Sequence, residues 1–313
     1  MLDTPVLFLI FNRPDTTVQV FDRIRQAAPR QLFIAADGPR PDKPEDIERC
    51  RQVQKIVGNI DWECEVKTLF RNENLGCGLA VSEAVTWFFE NVQQGIILED
   101  DTVPDLSFFS FCAEMLDFHK YNEQIMHVSG TSFLKQVPSS NMSHYCSRYP
   151  NIWGWASWAR AWKYYDFRLS KFENLDSVMR NSVHTLTAKE MSYWESIFLN
   201  LKLNIRSTWD YQWLFCVWNK SGICITPTAN MVSNIGFGQD GTHTHNPDWE
   251  IAGLPVYRIK IPLKHIAELK INERNDLETF NRVYGVETSF ANKMRNLFYK
   301  IVPYEKRKRY LGI

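Results

Sequence analysis

Net charge is the first thing this chain does without: its 313 residues carry 36 Lys and Arg against 36 Asp and Glu. That balance removes the global case for a nucleic-acid partner, whose phosphates call for a basic surface. Also lacking are C-x-x-C pairs and zinc-ligand spacings among the seven cysteines, at positions 50, 64, 77, 112, 146, 216 and 224. Their odd number and mostly apolar surroundings read as buried free thiols, which points to a reducing cytoplasm. The opening MLDTPVLFLIFNRPD has no basic start and too short an apolar run for a signal peptide. No stretch approaches the roughly twenty apolar residues of a membrane-spanning helix. Internal repeats and low-complexity segments are missing as well.

What is present is an ordinary globular balance, 44% hydrophobic and 23% charged, enough for one large domain or two intimate ones. Aromatics are abundant at 14%, with 11 Trp, which suits a ligand that stacks as well as a core. The charge is unevenly spread. Phe290 to Ile313 holds seven basic residues and one acid, so this tail carries +6 and the remainder −6. Within it Phe290, Met294, Leu297, Phe298 and Ile301 recur at helical spacing. Two readings fit: a basic amphipathic helix lying on an anionic membrane surface, or a helix packed on the domain with a solvated basic end.

The first hundred residues alternate between buried-strand and helix patterns. PVLFLIFN (5–12), RQLFIAADGPRP (30–41), CEVKTLFRN and GIILEDD (95–101) read as strands. Helices are expected after the first strand (with Val18, Phe21 and Ile24 as its apolar face), at 44–57 and at 78–92. Such βα alternation predicts an α/β fold with a mostly parallel sheet, helices on both faces and ligands at the carboxyl ends of strands. Beyond it the pattern loosens. Helices are expected in PDLSFFSFCAEMLDFH, at 188–201 and at 209–219, and strands in IMHVSGTSF and GICITPTANMVSNIG. NIWGWASWARAWKYYDF reads as a turn followed by a helix, and 260–290 as a polar peripheral segment.

The sharpest feature is Glu99-Asp100-Asp101 at the end of an apolar strand. Three adjacent carboxylates repel one another and lose hydration when even partly buried. A solvated turn would tolerate them, and Asp105 could cap the next helix. At the carboxyl end of a central strand, however, they suit a hard divalent cation such as Mn2+ or Mg2+, which takes oxygen ligands and shares phosphates with a substrate.

At these residues the chain resembles the GT-A nucleotide-sugar glycosyltransferases, whose metal motif, usually called DXD, ends the fourth strand of a Rossmann-like sheet. It is most similar to the N-acetylglucosaminyltransferase I group and related bacterial proteins. GIILEDDTVPDLSFFSF is the closest match, and PVLFLIFNRPDTTVQVFDRI and LFIAADG before it and GWASWARAW and WDYQW after it occur in the same order as in that group, over roughly residues 4 to 245. The resemblance implies a metal-dependent transfer of sugar from a nucleotide diphosphate-sugar, with a uridine donor weakly favoured, to a glycan or lipid-linked acceptor. Asp101 would ligate the metal, and Asp100 and Glu99 would bond donor hydroxyls. Asp37 would face the base, while Arg13 beside Asn12, and Arg71 with Asn74, would approach the diphosphate. Asp210 would be the general base, in a single displacement that inverts the anomeric centre. Where the group has Trp-Asp-Asp-Trp, this chain has Trp209-Asp210-Tyr211-Gln212-Trp213, with one acid left for the role. His243 and His245, in GQDGTHTH, are candidates for metal or diphosphate contact, or a solvent-facing turn, and this Gly-rich loop can serve as a lid. Trp153, Trp155, Trp158 and Trp162 are candidates for stacking on an acceptor sugar; Trp155 is the better pocket candidate, whereas Trp158 and Trp162 suit a helix packed into the core.

The expected division is a donor-binding part at 1–105, an acceptor-binding and catalytic part at 106–260, and an extension at 261–313, which would carry any peripheral membrane contact. Two rivals stand beside this reading. A nucleotidyltransferase usually carries a Gly-rich, basic loop after its first strand, which FNRPDTT is not. A binding protein of the same fold would have kept the site and lost the chemistry.

Overall fold

The computed structural model describes residues 1–137, 141–180, 182–203, 208–237 and 249–285. Its first part alternates as expected: β1 (Val6–Ile10), α1 (Pro14–Ala27), β2 (Gln31–Ala36), α2 (Glu45–Val57), β3 (Glu65–Phe70), α3 (Gly76–Asn91) and β4 (Gln94–Glu99). There follow β5 (Thr102–Pro104), α4 (Ser107–Phe118), β6 (Ile125–Ser129), β7 (His144–Ser147) and β8 (Trp155–Trp158). The remainder comprises α5 (Ala159–Trp162), α6 (Leu175–Met179), α7 (Ala188–Lys202), α8 (Asp210–Asn219), β9 (Ile223–Pro227), β10 (Val232–Asn234), α9 (Glu273–Thr279) and a single π-helical turn at Phe280–Tyr284. No helix among the described residues is long and apolar enough to cross a membrane.

One eight-stranded sheet, ordered β3-β2-β1-β4-β8-β6-β9-β7, runs without a break across residue 105. Six of its strands point one way, and β8 and β7 run against them. Strand alternation divides the core between the two faces. Leu7, Leu9, Phe33 and Ile97 pack with α3 and the tryptophan-rich α7 and α8 on one side. Val6, Phe8, Ile10, Ile34 and Leu98 pack with α1, α2 and α4 on the other. Helices therefore cover both faces, as parallel β1, β2 and β4 require.

Among the differences from the sequence reading, three bear on the site. On α1 the buried stripe is Thr17, Val20, Phe21 and Ile24, and Val18 faces solvent. Trp155–Trp158 is a strand between β4 and β6, because large aromatic side chains suit a pleated surface buried on both sides. Gly154 turns the chain into it with φ of 62°, where a Cβ would also strike Val232 Cγ2 at 2.8 Å. The 260–290 segment is not wholly peripheral, since Phe280 and Asp276 are fully buried. Asp276 accepts from Arg148 Nε (3.0 Å), Arg148 N–H (2.9 Å) and Ser147 Oγ (2.6 Å), which anchors α9 on β7. Glu190 completes the buried network 3.6 Å from Arg148.

Removing one partner from such a network strands a buried charge. Asp276→Ala is expected to lower unfolding free energy by about 3–5 kcal/mol, read as a lower urea midpoint at unchanged slope. A loss below 1 kcal/mol would mean that the network does not anchor the segment.

Candidate functional site

The register of three adjacent parallel strands assembles the site. Ile10 lies beside Ala36 and Leu9 beside Glu99, so Phe11-Asn12-Arg13, Asp37 and Glu99-Asp100-Asp101 leave the sheet at one edge. They open into a cavity of about 570 Å3 whose lining includes Arg13, Asp37, Arg71, Asn74, Glu99, Asp100, Asp101 and Asp210. Residues from the first and last thirds of the chain thus meet there.

The acidic triplet is a tight, partly buried turn. Glu99 N–H donates to Thr102 Oγ1 (3.0 Å), and Phe11 N–H donates to Asp100 Oδ2 (3.0 Å). One guanidinium serves both aspartates: Arg13 Nη2 reaches Asp100 Oδ1 at 2.5 Å and Nη1 reaches Asp101 Oδ2 at 2.9 Å. β5 pairs with β10, so β10 delivers Ile235, whose N–H donates to Asp101 C=O, and then Gly236. A Cβ on Gly236 would lie 2.1 Å from Asp101 Oδ2 and 2.8 Å from Arg13 Nη1, so only glycine lets the backbone close over this pair.

Electrostatics follow from the count of three carboxylates to one guanidinium. Burial, then Asp101, pushes Glu99 up to about 8, with Arg13 pulling the other way. Burial likewise raises Asp100 to about 6 against the pull of Arg13. Burial works against the charge on Arg13, but Asp100 and Asp101 more than reverse it and hold its pKa above the ordinary value. Cys77 also lines the cavity. Burial, then Glu99, holds its thiol far above the usual range, so it supplies no thiolate nucleophile.

This donor set suits a hard divalent ion. It consists of carboxylate oxygens, it holds an excess of negative charge, and among the described residues neither Asp101 Oδ1 nor the Glu99 carboxylate has a hydrogen-bond partner. No three metal-ligating side chains converge into a closed cage among the described residues. An ion here would therefore need ligands from outside the protein, such as a substrate's phosphates or water.

The other candidates divide. Asp37 accepts from the N–H groups of Gly38, Leu75 and Gly76 and from Asn74 Nδ2, all at 3.0 Å, and so ties the end of β2 to the turn entering α3. Arg71 lines the cavity and also pairs with Glu83 at 3.2 Å. Asn12 points elsewhere: its Nδ2 donates to buried Asp46 (2.7 Å), which Arg40 also grips. Asp210 stands at the N-terminal end of α8, accepts from Thr208 Oγ1, and is near enough to Glu99 to add to its upward shift. Trp155 does not line the cavity. β8 is covered on both faces, and the ring is fully buried against His127 and Trp209. Trp153, on the turn before it, does line the cavity. His243, His245 and the 290–313 tail lie outside the described residues.

Several lining residues escaped the sequence reading, among them Arg40, Tyr193 and Tyr284. Arg40 had a signal, since it follows the Asp-Gly turn that ends β2. Tyr284 had none, because only the buried Asp276 anchor brings it to the cavity.

No family model and no curated protein matches the chain. Among solved structures, HddC from Yersinia pseudotuberculosis is 12% identical over 50% of this chain and 77% of its own, with a TM-score of 0.31. An apo UDP-glucose pyrophosphorylase is 7% identical over 72% and 90%, with a TM-score of 0.36. The 4-diphosphocytidyl-2C-methyl-D-erythritol synthase of Anaerococcus prevotii DSM 20548 is 10% identical over 44% and 58%, with a TM-score of 0.30. Likeness this partial says nothing about activity.

Two opposing sets of groups govern stability against pH. Burial holds His119 and His144 down to about 4, and His127 and His184 to about 3. Unfolding therefore takes up protons below about pH 6.5, and stability falls on acidification. Burial raises Asp276 as well as Asp100 to about 6, which opposes this trend below pH 6, but with Glu99 these acids are outnumbered by the histidines. Glu99 keeps its proton to about 8 when folded, so stability also falls as pH rises from neutrality toward 8. Melting temperature is expected to peak at about pH 6.5–7, and Glu99→Gln is expected to flatten the alkaline limb. A wild-type profile still rising at about pH 8 would contradict this balance.

Proposed function

We propose that the protein is a metal-dependent, inverting glycosyltransferase that moves a sugar from a nucleotide diphosphate-sugar to a glycan or lipid-linked acceptor. The observation that carries this reading is the acid triplet at the carboxyl end of β4, facing a cavity with a separate carboxylate, Asp210, on its wall. Residues 1–105 would supply the donor side and 106–260 the acceptor side, with 261–313 as an extension.

Asp101 would hold a Mn2+ or Mg2+ ion, which when bound neutralises charge on the departing diphosphate. Arg13 and Arg71, both on the cavity lining, would add positive charge toward the same oxygens. Glu99 and Asp100 accept hydrogen bonds from donor hydroxyls and orient the sugar. Asp210 takes the proton from the acceptor hydroxyl as the anomeric C–O bond breaks. A single base with direct displacement inverts the anomeric centre. Trp153, Tyr193 and Tyr211 line the same cavity and offer ring faces to an acceptor sugar. The shortness of the β1–α1 link favours this chemistry over nucleotidyl transfer. Only Phe11, Asn12 and Arg13 separate β1 from α1, with no Gly-rich loop to wrap a triphosphate.

The test is turnover of UDP-, GDP-, CDP- and dTDP-sugars with Mn2+, with the product's anomeric configuration read by NMR. One donor is expected to be consumed with inversion. Asp210→Asn is expected to lower kcat by about 100-fold or more while leaving donor affinity within about threefold. Full turnover by that variant would remove Asp210 as the base. Conversion of a nucleoside triphosphate and a sugar 1-phosphate into a nucleotide sugar, with no transfer activity, would replace this reading by nucleotidyl transfer.

A further inference from the structure

Arg13 differs from the other guanidiniums around the cavity in what neutralises it. Arg71 has Glu83, and Arg40 has Asp46, each an acid outside the triplet. Among the described residues, the salt-bridge partners of Arg13 are Asp100 and Asp101 alone, with Glu99 of the same triplet adding to the field. Its side chain keeps 16% of its surface exposed and lines the cavity. Its backbone, by contrast, is fixed: Arg13 C=O accepts from Thr17 N–H (3.0 Å) and Thr17 Oγ1 (2.6 Å) at the start of α1. A swing of the side chain alone would expose the two carboxylates.

We propose that Arg13 is a tethered counter-cation that occupies Asp100 and Asp101 in place of a divalent ion and releases them when a diphosphate arrives. This rests on the reading of Asp101 as a metal ligand. Nη1 sits on Asp101 Oδ2 at 2.9 Å, within the space an ion on that oxygen would need. A guanidinium fork matches carboxylate and phosphate alike, so a diphosphate in the cavity offers Arg13 an equivalent partner. Binding of the anion then uncovers the carboxylates, and binding of the ion drives Arg13 toward the anion. Each ligand raises affinity for the other by the same factor. The site thus takes metal and nucleotide together and resists metal alone, which keeps an empty site from being held by a free divalent ion.

Mn2+ binding to the full chain, followed by calorimetry and by the EPR signal of free Mn2+, tests this without any turnover. Wild type, Arg13→Ala and Arg13→Gln are titrated with Mn2+ alone and in the presence of UDP, GDP, CDP or dTDP, with the Mn2+–nucleotide complex accounted for. Both variants are expected to bind Mn2+ alone at least tenfold more tightly than wild type. A nucleotide is expected to tighten Mn2+ binding in every protein, because the ion also meets the diphosphate, but by a factor at least tenfold larger in wild type than in the variants. Should Arg13→Ala be poorly folded, Mn2+ is expected to raise its melting temperature more than that of wild type, since the ion replaces the missing charge. Variants that bind Mn2+ alone no more tightly than wild type, and gain no more stability from it, would overturn the proposal while leaving the metal site standing. Failure of every protein to bind Mn2+ with any nucleotide would overturn both the metal site and this role for Arg13.

Discussion

Three carboxylates against one guanidinium is the imbalance on which the rest of the site depends. Glu99, Asp100 and Asp101 are fixed at the edge of a parallel sheet by their register with β1, and Arg13 reaches two of them from the next turn of chain. Burial, reinforced by the neighbouring carboxylates, raises Glu99 to about 8 and Asp100 to about 6, so that left to itself the cluster keeps a proton on Glu99 at neutral pH. A folded chain that keeps such a cluster partly buried carries a standing electrostatic cost, and a divalent cation or an incoming cationic ligand would remove it. The cost is tolerable because the remainder of the fold is strongly apolar on both faces of the sheet.

The architecture serves this cluster from both ends of the chain. β1, β2 and β4 set the acids and Arg13 in place. β10 closes over them through Gly236, whose lack of a side chain permits the contact. On the far wall, α8 presents Asp210 at its first turn, with Trp209 and Trp213 packed behind it in the core. The buried Arg148–Asp276 pair then holds α9 and the π-helical turn against β7, which brings Tyr284 to the cavity. Tertiary contacts far apart in sequence therefore build the wall that carries Tyr284, whereas strand register builds the acidic one.

That difference explains how much was legible beforehand. β1, β2 and β4 are continuous apolar runs that break at polar residues, so strand, direction and ligand edge could all be read from them. The acid triplet was legible because adjacency alone makes it costly. Its pairing with Arg13 was not, since the partners lie 87 and 88 residues apart. β8 was hidden because four tryptophans around a glycine suit a turn and helix as well as a pleated strand. Nor could burial of Asp276 be read from a polar segment, for it depends on Arg148 arriving from β7. Asn12 illustrates the limit of position alone: it follows the right strand, yet its side chain turns to Asp46 rather than to the cavity.

The central claim is that the triplet is a cation–diphosphate site. The most direct measurement is a thermal-shift and calorimetry panel of UDP-, GDP-, CDP- and dTDP-sugars, with and without Mn2+, on wild type and Asp101→Ala. A ligand that binds only the folded state raises its stability by mass action. One nucleotide sugar that stabilises wild type only with Mn2+, and Asp101→Ala not at all, is the result this structure predicts. Absence of any shift at millimolar nucleotide, with or without metal, would contradict it and return the triplet to a solvated turn.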